Sequence, residues 1–290
     1  MDMERRLERG LDGLESVDFG STGFAPSGFG SLALGSLALG SLALGTGELD
    51  SAPSRRVPSV STDVLPALRG DYVIERRDAV EWLEAQGEQS LDLIITDPAY
   101  ESLEKHRAHG TTTRLKHSKS SSNDWFQIFP NQRFPALFKA AYRALKKDRH
   151  FYLFCDQETA FIVKPIAEAA GFKFWKPLVW DKQKIGMGYH YRSRYEFILF
   201  FEKGKRKLAN LAIPDVLECP RIVGGYPTEK PVRLSQILVA QSSVASEIVA
   251  DPFLGSGSVG VAALNLGRRF RGCDIAQQAI VHAQSRLITG

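Results

Sequence analysis

The fold of this chain is decided by the stretch Ile248-Val-Ala-Asp-Pro-Phe-Leu-Gly-Ser-Gly-Ser-Val-Gly260. Its apolar start is typical of a short strand, its middle of a tight turn, and its end of the first turn of a helix. Gly255 and Gly257 let the backbone approach a ligand, because neither residue carries a Cβ atom. The same glycines also occur in turns that only pack a helix on a strand, so both roles remain open at this point.

The strand predicted after this stretch ends at Asp274. A carboxylate in that place can accept hydrogen bonds from ribose hydroxyls. It can also cap the helix predicted to follow, and the two roles are compatible. No Lys-Ser or Lys-Thr pair follows the glycines, which excludes a phosphate-binding P-loop. Asp251 favours a cationic or hydroxyl-bearing ligand over a pyrophosphate.

Strands and helices alternate outward from this stretch. The predicted strands are 72–76, 91–96, 150–155, 172–180, 195–202, 247–250 and 269–274. The predicted helices are 79–86, 134–146, 158–170, 231–244, 257–266 and 276–287. This alternation predicts an α/β fold with a mostly parallel, seven-stranded sheet and helices on both faces. Ligands of such sheets bind at the carboxyl ends of the strands.

Composition narrows the class of protein. Hydrophobic residues make up 43% and charged residues 24% of the chain, and the net charge is only +4. These values are typical of a soluble globular protein. The three cysteines have no CxxC spacing, which argues against a disulfide framework and a zinc site. No apolar run reaches the length of a membrane span, and the N-terminus is acidic. We therefore expect a cytoplasmic protein with no metal and no membrane association.

Residues 1–65 differ from the rest of the chain. They are rich in Gly, Ser and Pro, and the motif Gly-Ser-Leu-Ala-Leu occurs in tandem from Gly30 to Leu44. A period of five fits neither a helix face nor a strand face. We predict a low-complexity, disordered tail for 1–65 and a folded domain for 66–290. The alternative is a segment that docks, through its leucines, on the folded domain or on a second subunit.

A second motif, Asp97-Pro98-Ala99-Tyr100, follows the strand 91–96. Alone it is typical of a turn at the end of a strand. Together with Asp251–Gly257 it resembles the paired motifs of the DNA amino-methyltransferases, and the order resembles the permuted β class. Further collinear matches are Arg77-Asp78, Trp180-Asp-Lys182, Gly186-Met-Gly188, Arg192-Ser-Arg194-Tyr-Glu196-Phe, Pro227-Thr-Glu-Lys230-Pro231 and Gly272-Cys-Asp274. The resemblance covers the chain from Tyr72 to Leu287.

The resemblance implies a Rossmann-like, S-adenosylmethionine-dependent methyltransferase fold. It also implies S-adenosyl-L-methionine as cofactor, double-stranded DNA as substrate and a homodimer. In the family, the lysine matched by Lys230 meets the carboxylate of the cofactor's methionine, and the acid matched by Asp274 binds its ribose. The implied cofactor-binding residues are Asp78, Lys230, Asp251, Phe253, Gly255, Ser256, Gly257 and Asp274.

The catalytic motif suits methylation of an exocyclic amino group. Such a nitrogen is a poor nucleophile, because its lone pair is delocalised into the base. Asp97 and the Pro98 carbonyl would accept its two N–H groups and free the lone pair. Tyr100 would stack on a base that has left the duplex. Aspartate first and tyrosine last favour N6 of adenine, since N4-cytosine relatives more often begin the motif with serine.

The chain departs from the family at two places. Alanine stands at position 99, where the family usually has proline. The region between Phe201 and Pro227 is also short, and many relatives carry a larger recognition region there. We expect activity to survive the first departure, because the lost proline ring makes no hydrogen bond.

Two basic segments, 101–124 and 182–207, flank the predicted pocket. The candidate DNA-binding residues are Lys105, Arg107, Arg114, Lys116, Lys119, Lys182, Lys184, Arg192 and Arg194. Contacts from these side chains to phosphates would make DNA binding strongly dependent on salt. Each segment taken alone could equally be an ordinary solvated surface. With the usual region shortened, we expect the loop 101–124 and the turn from Lys182 to Arg194 to read the DNA sequence.

Three other functions remain possible from the sequence. The nearest is methylation of N4 of cytosine on the same scaffold. The second is methylation of RNA or of a protein glutamine, against which the motif order and the basic segments argue. The third is a catalytically inactive DNA-binding protein, suggested by Ala99.

Overall fold

The computed structural model describes residues 71–102, 127–186, 191–226 and 228–289. Its strands are β1 (Tyr72–Arg76), β2 (Leu91–Thr96), β3 (Leu145–Cys155), β4 (Lys173–Asp181), β5 (Tyr195–Lys203), β6 (Val216–Glu218), β7 (Ile248–Asp251) and β8 (Arg269–Asp274). Its helices are α1 (Ala79–Ala85), α2 (Phe134–Ala144), α3 (Gln157–Ala169), α4 (Val232–Ser242), α5 (Ser258–Asn265) and α6 (Gln277–Thr289). The predicted tail, 1–65, lies outside these residues.

The strands form one sheet in the order β1-β8-β7-β2-β3-β5-β4-β6. Neighbours from β1 to β3 run parallel, β5 runs antiparallel to β3 and β4, and β6 runs parallel to β4. The predicted α/β fold with a mostly parallel sheet is therefore confirmed. The predicted number of strands is wrong, because the described residues form eight. The additional strand, β6, has three residues, too few to show an alternating pattern.

Helices cover both faces of the sheet, as predicted. On one face, α1, α2 and α3 pack on a cluster that includes Ile94 and Phe151. On the other face, α4, α5 and α6 pack on a cluster that includes Leu93 and Tyr152. Adjacent residues of a strand thus point into opposite layers, and every residue of β2 is buried.

The helix predicted to reach Lys146 ends two residues earlier, at Ala144, and Leu145 begins β3. The Lys146 ammonium lies 2.8 Å from the carboxylate of Asp92, a buried residue of β2. This buried carboxylate requires a cationic partner, so the ion pair outweighs the helical pattern of the local sequence. None of the helices in the described residues has the length and apolar character needed to cross a membrane.

Candidate active site

The two motifs meet at the carboxyl edge of the sheet. β2 and β7 are neighbours, with Leu93 opposite Val249, so the loops that follow them leave the sheet side by side. Between these loops lies a cavity of about 190 Å³. The predicted residues that line it are Asp78, Asp97, Pro98, Tyr100, Lys230, Asp251, Phe253, Gly255, Ser256 and Asp274. Residues far apart in the chain therefore share one pocket, as the sequence predicts.

The glycine turn is braced by Asp274, at the end of β8. One carboxylate oxygen of Asp274 accepts a hydrogen bond from the Gly255 N–H at 2.9 Å. The other accepts from the Ala276 N–H, also at 2.9 Å, just before α6. Burial raises the pKa of this carboxyl. Asp274 thus both supports the turn and caps the following helix, while still lining the cavity.

Gly257 does not line the cavity. A Cβ atom added there would lie 2.9 Å from the Cβ of Ala283 in α6, and the residue has a φ of +76°. The glycine is therefore required for close packing of the turn against α6 and for the left-handed backbone. Gly255 differs, because nothing lies closer than 3.8 Å to the site of its absent Cβ. Only Gly255 has the open approach that was expected of both glycines.

Asp251 lies buried at the base of the cavity. One of its oxygens accepts hydrogen bonds from the Thr96 hydroxyl at 2.9 Å and the Phe253 N–H at 3.0 Å. Burial raises the pKa of Asp251 to about 7. The ring of Phe253 meets that of Phe129 edge to face, with centroids 5.0 Å apart. A polar floor and an aromatic wall thus lie next to each other.

Asp78 lines the cavity and carries a partner that the sequence did not predict. Its two carboxylate oxygens accept hydrogen bonds from Arg133 at 2.7 and 2.8 Å. The same carboxylate caps α1, through the Val80 N–H at 3.0 Å. The hydrogen bond from Arg133 holds the pKa of Asp78 below its usual value. The acid is therefore ionised and fixed in place.

Asp97 and Lys230 form an ion pair across the cavity. The Lys230 ammonium also lies 3.4 Å from a carboxylate oxygen of Glu196, in β5. Burial raises the pKa of Asp97, and the charge of Lys230 offsets part of that rise. Burial alone would lower the pKa of Lys230, but the two carboxylates raise it instead. Lys230 is therefore a protonated cation shared by two acids.

The backbone after Asp97 is held by a second segment. The Ala99 carbonyl accepts a hydrogen bond from the Phe129 N–H at 2.7 Å, and Tyr100 forms an isolated bridge with Phe129. Tyr100 is almost fully buried, and burial raises the pKa of its phenol well above the usual value. The ring at the cavity wall is therefore a neutral aromatic group.

The predicted DNA-binding residues divide into three groups. Lys105, Arg107, Arg114, Lys116 and Lys119 lie outside the described residues. Lys182 and Arg194 are engaged within the chain: Lys182 contacts Glu196 at 2.5 Å, and Arg194 contacts Asp181 at 2.7 Å. Lys184 and Arg192 are exposed, and neither makes an ion pair within the described ranges. These last two side chains are therefore accessible to another molecule.

Several site residues were missed by the sequence analysis, although the signal for one was present. Glu196 is a charged residue directly before the apolar run 197–201 of β5, a pattern that indicates a paired or functional acid. Tyr226 and Glu229 also line the cavity, and Glu229 contacts Arg286 of α6 at 2.9 Å. Glu229 lies in the matched segment Pro227-Thr-Glu-Lys230-Pro231, in which only Lys230 was predicted to bind a ligand.

The cavity suits a ligand that carries a carboxylate, hydroxyls and a cationic centre. Lys230 can bind a carboxylate, the Asp274 carboxylate can accept from hydroxyls, and the buried acids favour positive charge. Gly255 leaves the backbone open to a close approach. S-adenosylmethionine has all of these groups. Within the described residues, no group of acids, histidines or cysteines is arranged to hold a metal ion.

The family profile for DNA methylases matches residues 91–220 and 211–285, which include both motifs and the sheet between them. The chain belongs to this DNA methylase family. The predicted resemblance to the DNA amino-methyltransferases is thus confirmed. As a DNA methylase, the protein transfers a methyl group from S-adenosylmethionine to DNA.

Two individual relatives of this DNA methylase support the family assignment. It is 32% identical to YubD of Escherichia coli (strain K12) over 200 residues, which cover 68% of this chain and 82% of YubD. It is 29% identical to the Type II methyltransferase M.HpaI of Haemophilus parainfluenzae over 241 residues, which cover 72% of each chain.

Solved structures share the fold of this DNA methylase at low identity. M1.HpyAVI has a TM-score of 0.55 and 21% identity, covering 74% of this chain and 98% of its own. The cytosine-N4-specific PvuII DNA methyltransferase has a TM-score of 0.61 and 16% identity, covering 75% of this chain and 86% of its own. M1.HpyAVI is also known as a complex with SAM.

Proposed function

We propose that this DNA methylase is a site-specific enzyme that methylates N6 of adenine in double-stranded DNA. The observation that supports the proposal is the position of the Asp97 carboxylate, in the cavity that the glycine turn also lines. A DNA amino-methyltransferase needs an acceptor for the amino group next to the donor site, and Asp97 is the acid that meets this need.

Asp97 and Pro98 would hold the amino group. One oxygen of Asp97 contacts Lys230, whereas the other accepts no hydrogen bond from any described residue. That oxygen can accept one N–H of the base, and the Pro98 carbonyl can accept the other. Both contacts draw the nitrogen toward tetrahedral geometry, in which its lone pair becomes available. Tyr100, neutral and at the cavity wall, would stack on the base.

The donor would be held by the remaining predicted residues of the cavity. Lys230 would bind its carboxylate, Asp274 its ribose, and Gly255 and Ser256 would provide the close backbone surface. Phe253, Asp78 and Asp251 would complete the pocket. Gly257 would act only through packing. When bound, S-adenosylmethionine supplies an electrophilic methyl group, so the chain itself needs no nucleophilic side chain.

We further propose that a homodimer binds the DNA through the basic segments. The cations of 101–124, together with Lys184 and Arg192, would contact phosphates beside the cavity. DNA affinity should then fall steeply as salt rises. Sedimentation measurements would show a particle of twice the chain mass if the dimer forms, and a monomer would refute that part.

The test of the reaction is identification of the product. DNA methylated with a tritium-labelled donor is digested to nucleosides, and we expect the label in N6-methyl-2′-deoxyadenosine. Label in N4-methyl-2′-deoxycytidine would instead support the alternative that the PvuII enzyme represents. The preference for adenine comes from the aspartate that begins the catalytic motif.

Replacing the acceptor tests the role of Asp97. In Asp97→Ala we expect DNA binding to persist while single-turnover methylation falls by about 10²–10³-fold, because a preorganised partner of the reacting group is lost. Asp215→Ala is the matched control, since Asp215 is an exposed acid paired with Lys176. Full activity in Asp97→Ala would exclude the proposed site. An unmodified chain that binds DNA without any methylation would support an inactive, DNA-binding protein.

A further inference from the structure

Four alternating charges form a row that begins at the proposed acceptor. They lie in the order Asp97, Lys230, Glu196 and Lys182. Lys230 contacts Asp97 and lies 3.4 Å from Glu196, and Lys182 lies 2.5 Å from Glu196. Both lysines also lie over the ring of Trp180, at 5.8 and 5.3 Å from its centroid. The row has two positive and two negative charges, and Glu196 is its central acid.

Glu196 has an incomplete set of partners. The oxygen of Glu196 that faces Lys230 is buried and has no hydrogen-bond partner among the described residues, although it lies within ion-pair distance. A buried acid that is only partly satisfied costs stability. An acid kept in that state beside a reacting group indicates a functional role rather than a purely structural one.

We propose that Glu196 is a positioning residue for methyl transfer, which shares Lys230 with Asp97 and so keeps Asp97 a strong acceptor for the amino group. This inference rests on the proposed function of Asp97. Without Glu196, Lys230 would pair with Asp97 alone and withdraw more of its negative charge. Lys182 would at the same time lose the acid with which it pairs.

The ionisation of Asp97 gives a readout that a structural role would not produce. The titratable and charged groups that face Asp97 are Lys230, Glu196, Lys182, Asp251, Tyr100 and Cys155. Burial raises the pKa of Asp97, the negative charge of Glu196 raises it further, and the positive charge of Lys182 lowers it. Removing Glu196 and removing Lys182 should therefore shift the pKa of Asp97 in opposite directions.

The experiment measures the single-turnover rate against pH, with DNA and donor saturating. Asp97 must be ionised to accept an N–H, so the rate falls as the pH drops through its pKa. In Glu196→Gln we expect this acid limb to move to lower pH by about one pH unit. The rate at the optimum should fall about tenfold or more, because small displacements of reacting groups cost up to about 10²-fold. In Lys182→Met we expect the limb to move to higher pH.

Controls separate the possible failures. Glu168→Gln removes an exposed acid of α3 that pairs with Lys164, and we expect the unmodified profile. A carbon-13 NMR titration of Asp97 in the free protein should show the same opposite shifts without turnover. If Glu196→Gln does not fold, Lys182→Met still tests the inference by the direction of its shift.

Two results would overturn the inference. One is a Glu196→Gln profile that matches Glu168→Gln, and the other is an acid limb in Lys182→Met that stays in place or moves to lower pH. Asp97→Ala, assayed beside them, identifies which proposal has failed. Activity in Asp97→Ala removes the proposed function itself. Loss of activity in Asp97→Ala, together with either overturning result, removes only the role of Glu196.

Discussion

β2 places an aspartate near each end, and the two have opposite surroundings. Asp92, at the amino edge of the sheet, is 3% exposed and accepts from Lys146 at 2.8 Å, Arg149 at 3.0 Å and the Ile248 N–H at 3.0 Å. Asp97, at the carboxyl edge, has one donor among the described residues. Although burial opposes it, the donors around Asp92 hold its pKa below the usual value. Burial raises that of Asp97.

The difference separates a structural ion cluster from a reactive one. At the amino edge the charges are paired with one another. Arg149 contacts both Asp92 and Glu247, and Glu247 also pairs with Arg206. At the carboxyl edge one oxygen of Asp97 accepts no hydrogen bond from any described residue, and Asp97 lines a cavity. A saturated cluster can stabilise the fold but cannot bind a new partner, whereas the unsaturated one can.

The largest expected effect is on stability, at the amino edge. Asp92→Asn keeps the shape of the side chain but leaves Lys146 and Arg149 without their buried anion. Breaking a buried ion pair on one side should lower the free energy of unfolding by about 3 kcal/mol. Urea denaturation would measure this loss, and methylation per folded molecule should be unchanged. Asp97→Asn should instead lose methylation while its stability is unchanged. Equal stability of Asp92→Asn and the unmodified chain would contradict the comparison.

A smaller effect separates the two glycines of the turn. Gly257→Ala places a Cβ 2.9 Å from that of Ala283, so we expect a loss of about 1–3 kcal/mol from overpacking. Gly255→Ala is also strained, because Gly255 has a φ of +49°, but its new methyl group has open space around it and would enter the proposed donor site. We therefore expect Gly257→Ala to lower the melting temperature more, and Gly255→Ala to weaken donor binding more. Thermal unfolding and calorimetry measure these two quantities. If both variants lost only donor affinity, the packing role of Gly257 would be wrong.

The last effect depends on pH. The pKa of Asp251 is raised to about 7 in the folded chain, above its value in the unfolded chain. This group therefore contributes stability that is present below about pH 4 and is lost as the pH rises toward 7. Asp251→Asn cannot titrate, so its melting temperature should rise relative to the unmodified chain between pH 5 and pH 8. A constant difference across that range would show that Asp251 is ionised throughout.

Much of the fold could be predicted from the sequence, because strands and helices that bury one face have periodic patterns of apolar residues. The strands near the two motifs were placed within a few residues, and the motifs were expected at one edge. β6 could not be predicted, since its pairing with β4 depends on tertiary contact rather than pattern. The end of α2 was misplaced because Lys146 pairs with a buried acid and belongs to β3 instead. That acid, Asp92, lies 52 residues before the last residue of α2.

The site was predicted in its members but not in its contacts. Asp97, Lys230 and Asp274 were each predicted to bind a separate ligand group, and the sequence had no means of showing that Lys230 joins Asp97 to Glu196. Gly257 was read as a ligand contact because the sequence does not indicate which neighbour a glycine accommodates. Arg133 was missed as the partner of Asp78, since ion pairs between distant segments leave no local pattern.

The position of β1 beside β8 has a consequence for how the polypeptide could be reconnected. Parallel pairing puts Tyr72 at the amino edge, and α6, which runs back from the end of β8 and packs near β1, finishes toward the same edge. The two extremities of the described domain therefore lie toward the same edge of the sheet. A linker could join them, and a new opening in the exposed turn before β6 would place the glycine turn ahead of the catalytic motif without changing the pocket. The order of the two motifs along the chain therefore depends on where the circularly connected chain is opened. The chemistry does not require one particular order.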